Sequence, residues 1–196
     1  MIYIFCRGLL RVIFAFMYRL EAVGKENIPE EGGVLLCSNH ISLLDPMTVG
    51  IKFRRKVRFM AKAELFKVPV LGWLITQLGA FPVKRGGVSK ESFKTSLKIL
   101  RGGEIMGIFP EGTRNSDSGA AKKGAASFAL RSGAAVVPAA IIGDYKFLRK
   151  MKVIYGKPLD LSEFADMESA EAVDAVTDKI MSRIHEMQKT GKPTVN

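Results

Sequence analysis

Val34-Leu35-Leu36-Cys37 offers no polar face. A half-buried strand alternates apolar and polar residues, and an amphipathic helix repeats its apolar positions every three or four. An unbroken apolar run this short fits a strand buried on both sides instead. Such a strand needs helices above and below it, which points to an α/β architecture. Ile105 to Phe109 and Ala135 to Ile142 make the same demand. Shorter strands are predicted at Leu20–Gly24, Val57–Ala61 and Ala80–Val83, with an edge strand at Met151–Tyr155. Helical stretches fall between them: a short one from Lys62, then 71–78, 90–101, 124–132, and a final helix from a Ser169 cap to Lys189. Ser89 is the expected N-cap of the 90–101 helix, where Phe93, Leu97 and Leu100 recur at helical spacing. With 196 residues, the chain is read as a single domain carrying a mostly parallel or mixed sheet flanked by helices. The tail from Gly191 is expected to be loose.

Residues 1–20 stand apart from this pattern. They are apolar but interrupted by Arg7, Arg11 and Arg19, so the longest uncharged run, Val12 to Tyr18, is far shorter than the roughly 20 residues that span a bilayer. The stretch is expected to be an amphipathic helix lying in a membrane interface, with its arginines reaching anionic head groups. A buried helix with exposed arginines is the alternative. The formal net charge is +11, and residues 1–98 carry +9 of it. That asymmetry implies an anionic partner for the N-terminal half. The densest basic cluster is Lys52 to Phe59, KFRRKVRF. Anionic lipid, an acidic carrier protein, the phosphates of coenzyme A, nucleic acid and a plain solvated face all fit it. The two cysteines, Cys6 and Cys37, do not make a disulfide framework, so a reducing compartment is expected.

Two polar stretches follow apolar strands directly. The first is Asn39-His40-Ile41-Ser42-Leu43-Leu44-Asp45-Pro46. Five residues of regular helix would turn His40 and Asp45 about 140° apart, so they meet only if the chain between them curls as a loop. Pro46 is expected to push Asp45 out of helical geometry and to start a helix that Asp45 caps. If the side chains do meet, Asp45 fixes the imidazole tautomer and leaves the other ring nitrogen as a general base. The plain reading is a helix cap beside an unremarkable histidine. The second stretch is Phe109-Pro110-Glu111-Gly112-Thr113-Arg114-Asn115. Gly112 permits close backbone approach, Thr113 adds a hydroxyl, and Arg114 can grip a phosphate with paired hydrogen bonds. An ordinary solvated turn is the alternative. Both stretches would lie at the carboxyl ends of strands, where open α/β sheets bind ligands.

NHxxxxD followed by FPEGTR resembles the glycerolipid acyltransferase family, and most closely the 1-acylglycerol-3-phosphate acyltransferases. The resemblance covers roughly residues 20–160. It implies an acyltransferase α/β domain over 21–190 behind a membrane-anchoring helix over 1–20. It also implies transfer of a fatty acyl group from acyl-CoA or acyl carrier protein to the free hydroxyl of 1-acylglycerol-3-phosphate, giving phosphatidic acid. His40 would be the base and Asp45 would orient it, with no acyl-enzyme. Phe81-Pro82-Val83-Lys84-Arg85 is similar to the family's second motif, in which the arginine helps to hold the acceptor phosphate. Lys84 stands where the family often has Asp, Asn or Ser. Glu111, Gly112, Thr113 and Arg114 are similar to an acceptor-binding third motif, and Val137-Pro138 to a fourth. Lys62 matches a recurring lysine that could neutralise an oxyanion or a phosphate; Lys123 is a further, weaker match. Cofactors are not implied beyond the thioester co-substrate. The implied partners are an anionic membrane surface, lysophosphatidic acid and the acyl donor, and nucleic acid is set aside. The implied location is peripheral, on the cytoplasmic face of the cell membrane.

Competing chemistry finds little purchase. Ser38 and Ser42 flank His40, but no GxSxG elbow exists. Cys37 sits within an apolar strand and reads as core. His185 reads as a solvated helix-face residue. No Cys/His spacing suggests a metal, and no Gly-rich loop suggests a nucleotide. Other acceptors (glycerol-3-phosphate, another lysophospholipid, a lyso-ornithine lipid) and a non-catalytic lipid-binding module remain as alternatives.

Overall fold

The structure is a computed structural model and describes residues 2–83, 89–113, 116–117, 119–164 and 166–194. The apolar runs form the centre of a seven-stranded sheet. In chain order its strands are β1 (Glu21–Val23), β2 (Val34–Ser38), β3 (Val57–Lys62), β4 (Phe81–Val83), β5 (Ile105–Ile108), β8 (Ala135–Ile142) and β9 (Lys152–Tyr155). The short strands β6 (Gly112–Thr113) and β7 (Ser116–Asp117) pair with each other. The spatial order is β1-β9-β8-β2-β5-β3-β4. Every neighbouring pair is parallel except β8 with β9, so the sheet is mixed.

Side chains alternate across a strand, so the all-apolar β2 feeds two cores. Val34 and Leu36 join one core with Phe14 and Tyr18 of α1 (Ile2–Tyr18) and Val49 of α2 (Asp45–Gly50). Leu35 and Cys37 join the other, with Ile99 and Leu100 of α4 (Lys90–Arg101), Phe128 of α5 (Gly119–Ser132), and Val176 and Ile180 of α6 (Ser169–Thr190). The remaining helix, α3 (Pro69–Gln77), lies between β3 and β4 in the chain. Ser89 caps α4 as expected, accepting a bond from the Ser92 amide at 3.2 Å.

Four local expectations fail. The segment at 151–155 is not an edge strand: β1 pairs outside it and its last three residues are buried. Ser169 does not cap α6; Glu168 occupies that position without a side-chain bond. Asp45 is neither extended nor an N-cap, because α2 begins at Asp45 itself and Leu44 is the capping residue. Its carboxylate is drawn back into the preceding loop, where other donors compete for it. Finally, Arg7 and Arg11 do not reach outward. Arg7 donates to the carbonyls of Phe53 and Arg54, and Arg11 to those of Ile51 and Phe53. Those carbonyls follow α2, in irregular chain outside any helix or strand.

Candidate active site

β2 and β5 are adjacent parallel strands, so the loops that leave their carboxyl ends meet. The first begins with Ser38-Asn39. The Asn39 side chain bridges to β8, its Nδ2 donating to the Ile141 carbonyl (3.1 Å) and its Oδ1 accepting from the Ile141 amide (2.7 Å). This pins the end of β2 just before His40. The chain then curls as the five-residue spacing demands. His40 Nδ1 lies 2.7 Å from Asp45 Oδ2, and the same oxygen accepts the amides of Ile41 (2.6 Å) and Ser42 (2.7 Å). Asp45 is fully buried. Oδ2 already accepts two backbone N–H groups, and Nδ1 is the third donor that converges on it. The His40 side chain is 15% exposed, whereas that of Asp45 is fully buried.

The second loop supports the first. Phe109 stacks on the imidazole, with ring centroids 4.3 Å apart and planes 17° from parallel, and Phe59 of β3 stacks on Phe109 from beyond. Glu111 Oε2 accepts the His40 amide at 3.2 Å. A third loop, leaving β8, brings Tyr145. Its hydroxyl donates to Asp45 Oδ1 at 2.7 Å and lies 2.6 Å from Thr48 Oγ1 of α2. With the phenol proton committed to Asp45, the threonine hydroxyl is the donor of that second bond. Burial, reinforced by Asp45, pushes the Tyr145 phenol far above the ordinary tyrosine value, so it stays protonated.

This arrangement is a histidine tied at one ring nitrogen to a buried carboxylate and packed against an aromatic wall. Comparison with known proteins shows the family that carries it. The acyltransferase family model matches residues 19–142, a segment that contains both loops.

The chain belongs to the acyltransferase family.

It is 36% identical over 192 residues to the 1-acyl-sn-glycerol-3-phosphate acyltransferase of Bacillus subtilis, an alignment covering 95% of this chain and 96% of that one. The protein of the same name from Borreliella burgdorferi is 27% identical over 179 residues, covering 85% and 72%. In structure, the chain is similar to the 1-acyl-sn-glycerophosphate (LPA) acyltransferase PlsC of Thermotoga maritima, with a TM-score of 0.69 and 25% identity over 92% of this chain and 77% of that one.

The other site residues of this acyltransferase are placed as follows. His40, Asp45 and Glu111 come together. Gly112 and Thr113 form β6, a short hairpin strand that follows directly. Lys62 ends β3 and is exposed. It shares the carboxyl edge of the sheet with His40 but stands two strands over, about 10 Å at the usual strand spacing. Lys123 is not brought to the dyad; it makes an exposed ion pair with Asp174 of α6 at 3.1 Å. Arg85 and Arg114 lie outside the described residues. The basic cluster is largely committed within the chain. Arg55 holds the carbonyls of Pro29, Gly32 and Gly103, Lys56 that of Gln77, and Arg58 pairs with Glu104. Cys37 is fully buried, and burial raises its thiol beyond useful reactivity. His185 is exposed. Tyr145 and Thr48 were missed in the sequence. The available signal was position, since Tyr145 follows the carboxyl end of a central strand, where ligands and catalytic groups collect.

Proposed function

We propose that the protein transfers a fatty acyl group from acyl-CoA or acyl carrier protein to the free hydroxyl of 1-acylglycerol-3-phosphate, giving phosphatidic acid. The observation that carries this reading is the His40–Asp45 pair, with Nδ1 held at 2.7 Å and Nε2 without a hydrogen-bond partner among the described residues. Nε2 takes the proton of the acceptor hydroxyl as its oxygen attacks the thioester carbonyl. The tetrahedral intermediate collapses, the C–S bond breaks, and the imidazolium returns its proton to the leaving thiolate. The buried charge of Asp45 stabilises the imidazolium that forms between these steps. Lys62 and backbone amides near Gly112 are the groups proposed to meet the oxyanion, and donors aimed at such charge usually supply the largest catalytic term. Arg85 and Arg114 are proposed to hold the acceptor phosphate.

The substrates are amphiphiles, and α1 offers a means of meeting them at the membrane. Phe5, Leu9, Val12 and Phe16 recur at helical spacing and are all exposed, while Phe14 and Tyr18 on the opposite side are buried. Phe147 and Leu148 are exposed close by, the Leu148 amide bonding to the Met17 carbonyl at 2.7 Å. No helix among the described residues is long and apolar enough to cross a membrane. The proposed location is peripheral, on the cytoplasmic face of the cell membrane, and the exposed apolar stripe of α1 supports placing that helix in the interface.

The test is turnover of lysophosphatidic acid with each thioester, with products identified by mass spectrometry. His40→Ala, shown to be folded, is expected to lose on the order of a hundredfold or more in rate. Wild-type turnover in that variant would rule out His40 as the base.

A further inference from the structure

The donors around Asp45 are unevenly shared. Oδ2 receives three N–H groups, all from residues 40–42 of its own loop. That set is local: it closes the loop on itself but does not fix the carboxylate relative to the rest of the molecule. Oδ1 receives the phenol of Tyr145, one hundred residues away in sequence. Among the described residues, this is the bond that ties the carboxylate to another part of the fold.

Tyr145 is itself held from several directions. Thr48 approaches its oxygen. The Tyr18 ring of α1 meets its ring edge-on, with centroids 5.4 Å apart and planes at 87°. The loop that carries it is fastened to the end of α1, where the Leu148 amide bonds to the Met17 carbonyl at 2.7 Å and the Met151 amide to the Tyr18 carbonyl at 3.0 Å. The family match ends at residue 142, just short of this tyrosine.

We propose that Tyr145 is a positioning residue for the acyl transfer, holding the second oxygen of Asp45 so that the carboxylate keeps the His40 imidazole aimed at the acceptor hydroxyl. The inference rests on the reading of His40 as the base. A carboxylate held only within its own loop moves with that loop, and the imidazole moves with it. Held also by Tyr145, it is fixed, and orientation within a few tenths of an ångström is what a general base requires. Tyr145 touches neither substrate in this scheme, so it acts on the rate of the chemical step and not on substrate binding.

The experiment is steady-state kinetics on the full chain, with lysophosphatidic acid and whichever acyl thioester the wild-type protein turns over. The variants are His40→Ala, Asp45→Asn, Tyr145→Phe and the double variant Asp45→Asn/Tyr145→Phe. Tyr145→Phe is expected to lower kcat roughly tenfold, the scale of one hydrogen bond to a charged group, with KM for both substrates changed less than about twofold. Because Tyr145 acts through Asp45, adding Tyr145→Phe to Asp45→Asn is expected to cost less than about a further twofold. An unchanged kcat in Tyr145→Phe overturns the proposal, and so does a full additive loss in the double variant. If Tyr145→Phe does not fold, Thr48→Val carries the test: a fall in kcat of about threefold at constant KM supports the proposal, and an unchanged kcat overturns it. An active His40→Ala instead defeats the base reading itself, so the two failures are distinguishable.

Discussion

Gly107 has no room for a side chain. A Cβ built on it would lie 2.1 Å from the Phe59 ring, because that ring lies across the backbone of β5. The missing methyl matters at the site, since Phe59 stacks on Phe109 and Phe109 stacks on His40. Gly107→Ala is expected to cost about 1–3 kcal/mol through overpacking, read as a lower urea midpoint, and to lower kcat as the stack shifts. Pairing it with Phe59→Leu should recover much of the stability; if it does not, the clash lies elsewhere. At this scale the sequence was legible where chemistry is local. The spacing of His40 and Asp45 predicted a curled loop, and that loop is present. The part of the motif that misled was Pro46. Its usual effect on the residue before it was outweighed by two backbone amides and an imidazole converging on the Asp45 carboxylate.

α1 shows the same division at the scale of an element. Its position, length and amphipathic character were readable, but the direction in which its arginines point was not. Arg7 and Arg11 read as head-group ligands because they are cations on an apolar helix. The residues just after α2 present carbonyls in irregular chain, and a guanidinium with several donors satisfies them. The two faces of α1 should therefore fail in different ways. Arg7→Ala and Arg11→Ala are each expected to lower stability by about 1–3 kcal/mol, since each removes hydrogen bonds made by a charged group, and urea unfolding checks this. Replacing exposed Phe5, Leu9, Val12 and Phe16 with serine should leave the unfolding midpoint nearly unchanged and abolish flotation with anionic liposomes. Loss of flotation in the arginine variants alone would show that the faces have been assigned the wrong way round.

At the scale of the whole molecule, two phenols tie distant elements together: Tyr145 to Asp45 and Tyr155 to Val49. Tyr155 of β9 is fully buried, donates to the Val49 carbonyl of α2 at 2.7 Å, and meets the Phe53 ring edge-on. Burial pushes it far above the ordinary tyrosine value, as burial does for Tyr145. The neutral phenol is thus the form that the folded state keeps, while the unfolded chain ionises at about pH 10. Their contribution is fully present below pH 10 and is lost as pH rises above it. Each phenol should remove about 1.4 kcal/mol of stability per pH unit in that range. Urea melts at pH 9, 10 and 11 measure the slope, and Tyr155→Phe should flatten it by one share. An unchanged slope would mean that Tyr155 is not the group responsible.

The amino-acid sequence alone determined the seven strands of the main sheet and the larger helices, because burial on two faces or on one leaves a pattern in neighbouring residues; the short β6–β7 hairpin left no such pattern. It also showed that His40 and Asp45 meet only through a curled loop, because the five-residue spacing turns them apart on a helix. Only the tertiary structure decided the order of the strands, and with it that β9 is interior, that β2 and β5 bring His40, Phe109 and Glu111 together, and that the loop after β8 delivers Tyr145 to Asp45. Those outcomes depend on which distant segments pair and in what register. A carbonyl just after α2 or the free oxygen of a buried aspartate selects its partner through that geometry, and local composition carries no record of it.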